Sequence, residues 1–164
     1  MTIKVIKAPD ALPYHRSKGV IPRSVFLAGS IEMGAAEDWQ AKLTQHFEQD
    51  FGAFKATYFL FNPRRVKWDP TWVQSIDNPA FNEQVSWELT ALDCAKYIYM
   101  YFDPNTKSPI SLLELGLYAN SKKIIVCCPH GFYRRGNVEI VCERYNIPFY
   151  SDFERSILHI TDII

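Results

Sequence analysis

Eighteen Lys and Arg residues balance eighteen Asp and Glu residues over 164 positions, and this formal neutrality excludes a generally basic surface for nucleic acid or an anionic membrane. With 48% hydrophobic and 15% aromatic content, the chain can fill the core of one compact domain. No segment is long and apolar enough to span a bilayer, and residues 1–16 lack the continuous apolar stretch of a secretory signal. Cys94, Cys127, Cys128 and Cys142 have neither CxxC spacing nor a clustered His, so the expectation is buried, reduced thiols in a cytoplasmic setting, with no metal site.

In chain order, residues 1–23 read as an N-terminal extension. Short β-rich runs follow at 24–29, 58–62, 97–102 and 123–128, each apolar enough to be buried on both faces, with a weaker fifth at 147–150. Helical patterns lie between and after them, at about 35–49, 82–95, 109–120, 137–145 and 152–159. Strand and helix in alternation predict a single α/β domain over 1–164, flavodoxin-like or Rossmann-like, with about five parallel strands and helices on both faces. The one long irregular stretch, residues 63–81, holds Trp68, Pro70, Trp72 and Pro79 and reads equally as a lid or as an oligomer contact.

In such a sheet, ligands bind beyond the carboxyl ends of the strands, so the residues just after each strand carry the functional candidates. After the first lies Gly29-Ser30-Ile31-Glu32-Met33-Gly34: Gly29 permits close backbone approach, and Ser30 either donates to a sugar or phosphate or caps the next helix. After the third comes a polar loop from Asp103 to Ser108. Asp103 reads either as a contact to sugar or base or as a turn residue, and Ser108 as the N-cap before Pro109 at the first helical position.

Glu114 stands out in the helix that follows. A structural carboxylate there would have a Lys or Arg three or four positions away, but those positions are Ile110, Ser111, Leu117 and Tyr118. Burial among them raises its pKa and makes it a candidate nucleophile or acid/base; the alternative is a partly exposed residue favoured by the helix dipole. Glu88 likewise has no cation at its helical spacings and reads as a second acid or as a solvated helix residue.

The segment from Ser108 to Gly116, a small residue six positions before Glu-aliphatic-Gly, together with Gly29-Ser30, resembles the nucleoside 2-deoxyribosyltransferase-like proteins and their relatives that hydrolyse deoxynucleoside monophosphates. The resemblance covers about residues 24–145. It implies that Glu114 is the catalytic carboxylate, that Glu88 is the acid on the helix before the third strand, and that Asn137 in Asn137-Val138-Glu139-Ile140 reaches a neighbouring subunit's site, making the protein a homodimer or higher homo-oligomer. Without that geometry Asn137 is simply the N-cap of its helix. Phe26 stands where the family's orienting aromatic is Tyr, and Glu32 where the nucleotide hydrolases have Arg. An acid at position 32 disfavours a phosphate by Coulomb repulsion. Ser108 is a nucleotide-hydrolase trait and Asn137 a transferase trait. Arg134 and Arg135 read as a solvated surface pair more readily than as phosphate ligands.

The chemistry implied is cleavage of an N-glycosidic bond in a deoxynucleoside or its 5′-monophosphate. Glu114 stabilises an oxocarbenium-like transition state and forms a glycosyl-enzyme, Glu88 protonates the departing base, and a free nucleobase or water accepts the sugar. No cofactor is implied. The alternatives are an N-glycosidase acting on a larger nucleotide such as NAD, and a catalytically silent nucleotide sensor that keeps the fold.

Overall fold

The computed structural model describes residues 2–13, 19–32, 36–50 and 56–164. Six strands form one parallel sheet: β1 (Thr2–Lys7), β2 (Ile21–Gly29), β3 (Thr57–Asn62), β4 (Ala95–Tyr101), β5 (Ile124–Cys127) and β6 (Phe149–Tyr150), in the order β1-β3-β2-β4-β5-β6. Five helices accompany them: α1 (Trp39–Asp50), α2 (Pro79–Cys94), α3 (Pro109–Tyr118), α4 (Arg135–Tyr145) and α5 (Phe153–Ile163).

Alternation along the strands divides the apolar side chains between two cores. Phe26, Ala28, Ile98, Met100 and Phe102 pack with Trp87 and Leu92 of α2, Leu115 of α3 and Val138 and Cys142 of α4. Val25, Leu27, Tyr99 and Tyr101 pack on the other face with Trp39, Leu43 and Phe47 of α1 and Ile157 and Ile160 of α5. Both faces are covered, which is why the strands read as near-continuous apolar runs. All four cysteines are free and buried in these cores.

The α/β class and the five expected strands are present, and the differences lie at the margins. β1 belongs to a segment expected to be a mere extension. It forms the sheet edge beside β3 and is half exposed along its length, so it lacks the apolar run that marks an inner strand. α2 starts three residues earlier than expected, because Asn78 accepts hydrogen bonds from the Ala80 and Phe81 amides and Pro79 occupies the first helical position. α4 also starts early, at Arg135. Asn137 is therefore inside the first turn and not its N-cap. α1 is described from Trp39; the expected first residue, Ala35, like Met33 and Gly34, lies outside the described residues.

β2 has β3 on one side and β4 on the other, so the chain leaves it in one direction through α1 and then crosses to its opposite flank through α2. That reversal opens a crevice at the carboxyl ends of β2 and β4, where a doubly wound sheet binds its ligand.

Candidate active site

The β2–β4 crevice is built on backbone contact. Gly29 has φ 132°, and a Cβ there would stand 2.2 Å from the Tyr101 carbonyl oxygen, so only glycine lets the end of β2 close on β4. The close approach anticipated for Gly29 is thus made to the neighbouring strand. The Ser30 amide continues it, donating to the Tyr101 carbonyl at 2.9 Å.

Ser30 then turns its hydroxyl into the loop after β4. Its Oγ lies 2.6 Å from Ser108 Oγ and 2.8 Å from Thr106 Oγ1, and it accepts the Asp103 amide at 2.8 Å. Thr106 Oγ1 is also 2.8 Å from Ser108 Oγ and donates to the Asp103 carbonyl at 3.0 Å. These hydroxyls make four contacts among themselves and to that carbonyl but own three protons, so one contact always lacks a hydrogen. A ligand hydroxyl entering here can supply the missing hydrogen as a donor.

Ser108 does precede α3, with Pro109 at the first helical position, but it adopts a left-handed conformation (φ 44°) and its side chain makes no capping bond. Ser108 thus holds the expected N-cap position without capping through its side chain, because the hydroxyl is committed to Ser30 and Thr106. The Lys107 and Ser108 amides instead donate to Glu32 Oε1, at 2.9 and 2.8 Å. Asp103 is buried and ties the crevice together. One carboxylate oxygen accepts the Asn105 amide at 2.8 Å and the other the Glu37 amide at 3.1 Å.

About 9 Å along α3 from Ser108, at 1.5 Å per residue, comes Glu114. It is 8% exposed. Burial, followed by repulsion from Glu88, pushes its carboxyl up to about 8 from an ordinary 4.5. Glu88, half-buried on α2, is also raised by burial, against which the hydrogen bond from Gln84 Nε2 at 2.8 Å favours its ionised form. The two acids singled out in the sequence, on α2 and α3, are therefore close enough for the charge of Glu88 to act on Glu114. The Glu88 charge adds to burial in keeping the proton on Glu114.

Phe26 is fully buried beside Trp87, with ring centroids 6.4 Å apart, and offers no hydroxyl to orient a carboxylate. Asn137 is exposed and lines a groove of about 330 Å³ between α3 and α4, with Leu112, Leu115, Gly116 and Arg134. Neither acid lines that groove. Arg135 departs from the solvated pair expected of it: it packs over the Phe149 ring and donates to Ser151 Oγ at 2.8 Å.

Several participants had no place in the sequence argument. Thr106 completes the hydroxyl network. Just after β3, Arg64 meets Gln40 of α1 and Arg65 meets Glu83 of α2. Arg64 Nη2 donates to Gln40 Oε1 at 3.2 Å, while Arg65 pairs with Glu83 at 2.9 Å and lies over the Trp72 ring. Gln40 Nε2, Arg64 Nε, Arg65 Nη1 and Gln84 Oε1 are buried without a hydrogen-bond partner, and Arg64 Nε has only the Asp38 carboxylate at 3.8 Å. Buried polar atoms in that condition ask for water or a ligand. The position of Arg64-Arg65 after a strand was the available clue.

Among the described residues no three His, Cys, Asp or Glu side chains gather to hold a metal ion, and no helix is long and apolar enough to cross a membrane. Residues 22–132, about two thirds of the chain, match the protein family described as nucleoside 2-deoxyribosyltransferase like. The match spans the crevice and both acids and points to glycosyl-transfer chemistry on a nucleoside. No curated protein matches the chain.

Proposed function

Because the chain belongs to the nucleoside 2-deoxyribosyltransferase-like family, we propose that it breaks the N-glycosidic bond of a deoxynucleoside through a glycosyl intermediate on Glu114. One observation carries this reading: the buried carboxyl of Glu114 and the half-buried carboxyl of Glu88 repel each other beside the carboxyl edge of the sheet, and Glu114 is pushed up to about 8. A structural role for Glu114 would have supplied a cation or a hydrogen bond, as Gln84 does for Glu88. An oxocarbenium-like sugar supplies positive charge at the moment of reaction, when a desolvated carboxylate interacts with it most strongly.

The proposed cycle runs with one proton shared by the two acids. In the productive arrangement it sits on Glu88 and Glu114 is ionised. As the C1′–N bond breaks, its electron pair goes to the base nitrogen, which takes the Glu88 proton, and a Glu114 oxygen forms the new bond to C1′. A second base or water then attacks C1′, releases Glu114, and returns the proton to Glu88. The hydroxyls of Ser30, Thr106 and Ser108 hold the sugar, while Gln40 and Gln84 offer the base a donor and an acceptor that lack hydrogen-bond partners.

A second copy of the chain completes the assembly. Ile110, Leu113 and Leu117 on α3 are each about 60% exposed and form an apolar stripe on the helix that carries Glu114. Covering that stripe with the partner's α3 and α4 makes a homodimer in which Asn137 is supplied across the interface.

The test is chromatographic detection of free base from deoxynucleosides, ribonucleosides, their 5′-monophosphates and NAD, with and without an acceptor base, for the wild type and Glu114→Ala. Release that disappears in the variant supports the reading. Release from NAD alone replaces the substrate, and no release from any of them moves the protein to a nucleotide-binding sensor.

A further inference from the structure

Glu32 occupies the best anion seat at this edge of the sheet. Lys107 and Ser108 present successive amides, and the left-handed Ser108 turns them toward one point, a backbone nest that binds anions. The N-terminal dipole of α3 adds to the attraction. Ser108 does not fill this position, because its hydroxyl faces Ser30 and Thr106. The Glu32 carboxylate does, through one oxygen, and the Glu32 carbonyl accepts the Ala36 amide at 2.9 Å, which fixes the start of the loop.

The charges around the seat point the same way. Asp103 lies in the same loop, with Glu88 and Glu114 beyond it. Arg64 and Arg65, beside β3, already face Asp38 and Glu83. A phosphate brought to the seat must expel Glu32 or meet its charge at close range, and in a partly desolvated crevice like charges repel strongly. A hydroxyl, by contrast, donates to the second Glu32 oxygen and leaves the two amide bonds in place.

We propose that Glu32 is a specificity-determining residue, an internal stand-in for a substrate phosphate that restricts the site to nucleosides with a free 5′-hydroxyl. The inference rests on the N-glycosidic reading above and sharpens its substrate class. Selectivity arises from one group that both accepts the correct hydroxyl and repels the competing phosphate.

The experiment compares kcat/KM for a deoxynucleoside and its 5′-monophosphate, with the same base, in the wild type, Glu32→Gln and Glu32→Ser. The wild type is expected to favour the nucleoside by about 100-fold or more, and Glu32→Gln to narrow that ratio at least about tenfold, chiefly through KM for the monophosphate. Gln keeps the amide contacts and removes only the charge; Ser empties the seat. An unchanged ratio, or a wild type that prefers the monophosphate, overturns the proposal. Calorimetric titration with deoxyribose 5-phosphate gives a readout without turnover: Glu32→Gln should bind it at least about tenfold more tightly than the wild type, and equal binding overturns the proposal. Should the wild type cleave neither substrate, the N-glycosidic reading fails by itself, and the sugar-phosphate titration still decides the role of Glu32.

Discussion

Replacing Glu114 with Gln should stabilise the protein, and increasingly so as pH rises. The carboxyl titrates near 4.5 when the chain is unfolded and near about 8 in the fold, where burial and the Glu88 charge oppose ionisation. Between those values the native state binds more protons than the unfolded state, so stability falls with rising pH. The favourable contribution is complete below 4.5 and gone above about 8. From 4.5 to about 8 the interval is about 3.5 pH, and at about 1.4 kcal/mol per pH the ceiling is about 5 kcal/mol. Gln does not titrate, so comparing the variant's advantage at two pH values cancels the constant cost of its buried amide. Urea unfolding at about pH 5 and about pH 8.5 should show that advantage grow by about 3–4 kcal/mol. Parallel stability curves, within about 1 kcal/mol, would mean that Glu114 is solvated in the fold and would remove the physical basis for its role. An advantage that shrinks with pH would reveal a cationic partner and overturn the argument entirely.

Wild-type kcat/KM should be greatest while the acid pair holds one proton, falling above about 8 as the second is lost and at low pH as both acids become protonated. Glu88→Gln should cost about 100- to 10,000-fold in turnover for bases that need protonation and much less for bases that leave unaided. Removing the Glu88 charge should also let Glu114 ionise at lower pH, a shift that a purely structural Glu88 would not produce. The homodimer has its own test: coexpressed Glu114→Ala and Asn137→Ala subunits, each inactive alone, should recover up to about one quarter of wild-type activity, because half of a random mixture is heterodimer and one of its two sites is intact. No recovery would place Asn137 in its own subunit's site, and an active Asn137→Ala variant would place it outside any site.

The fold was legible where burial leaves a mark on sequence. The inner strands β2 to β5 are covered on both faces and read as apolar runs, whereas β1, half exposed at the edge, carries Lys4 and Lys7 and reads as nothing in particular. Helix starts were recoverable only through their caps. Asn78-Pro79 is such a mark at α2, but Arg134 begins α4 without a capping side chain and leaves no trace. Glu114 was conspicuous because its missing partners are local, three and four residues away. The Ser30–Thr106 contact joins residues 76 apart, and Arg64–Gln40 joins residues 24 apart. No periodicity encodes such pairs, since the crossing of the chain at β2 creates them.

The same distant contacts bind the loop before α2 to the chemistry. Gln84 donates one hydrogen to the Pro63 carbonyl, where the loop leaves β3, and another to Glu88 Oε1, both at 2.8 Å. Arg65, two residues further on, holds Glu83 of the same helix and lies over Trp72, which packs edge-on to Trp68. The loop is thereby fastened to α2 at the turn that carries the proposed acid. A displacement of Pro63 that turned the Gln84 amide would cost Glu88 the one hydrogen bond that favours its ionised form, and its carboxyl would hold a proton more firmly. The coupling suits a glycosyl transferase. Its covalent intermediate must be kept from water until a base arrives, and its acid must be protonated when the first base leaves. A loop whose first residue shares a hydrogen-bond donor with that acid links the two requirements without any further part.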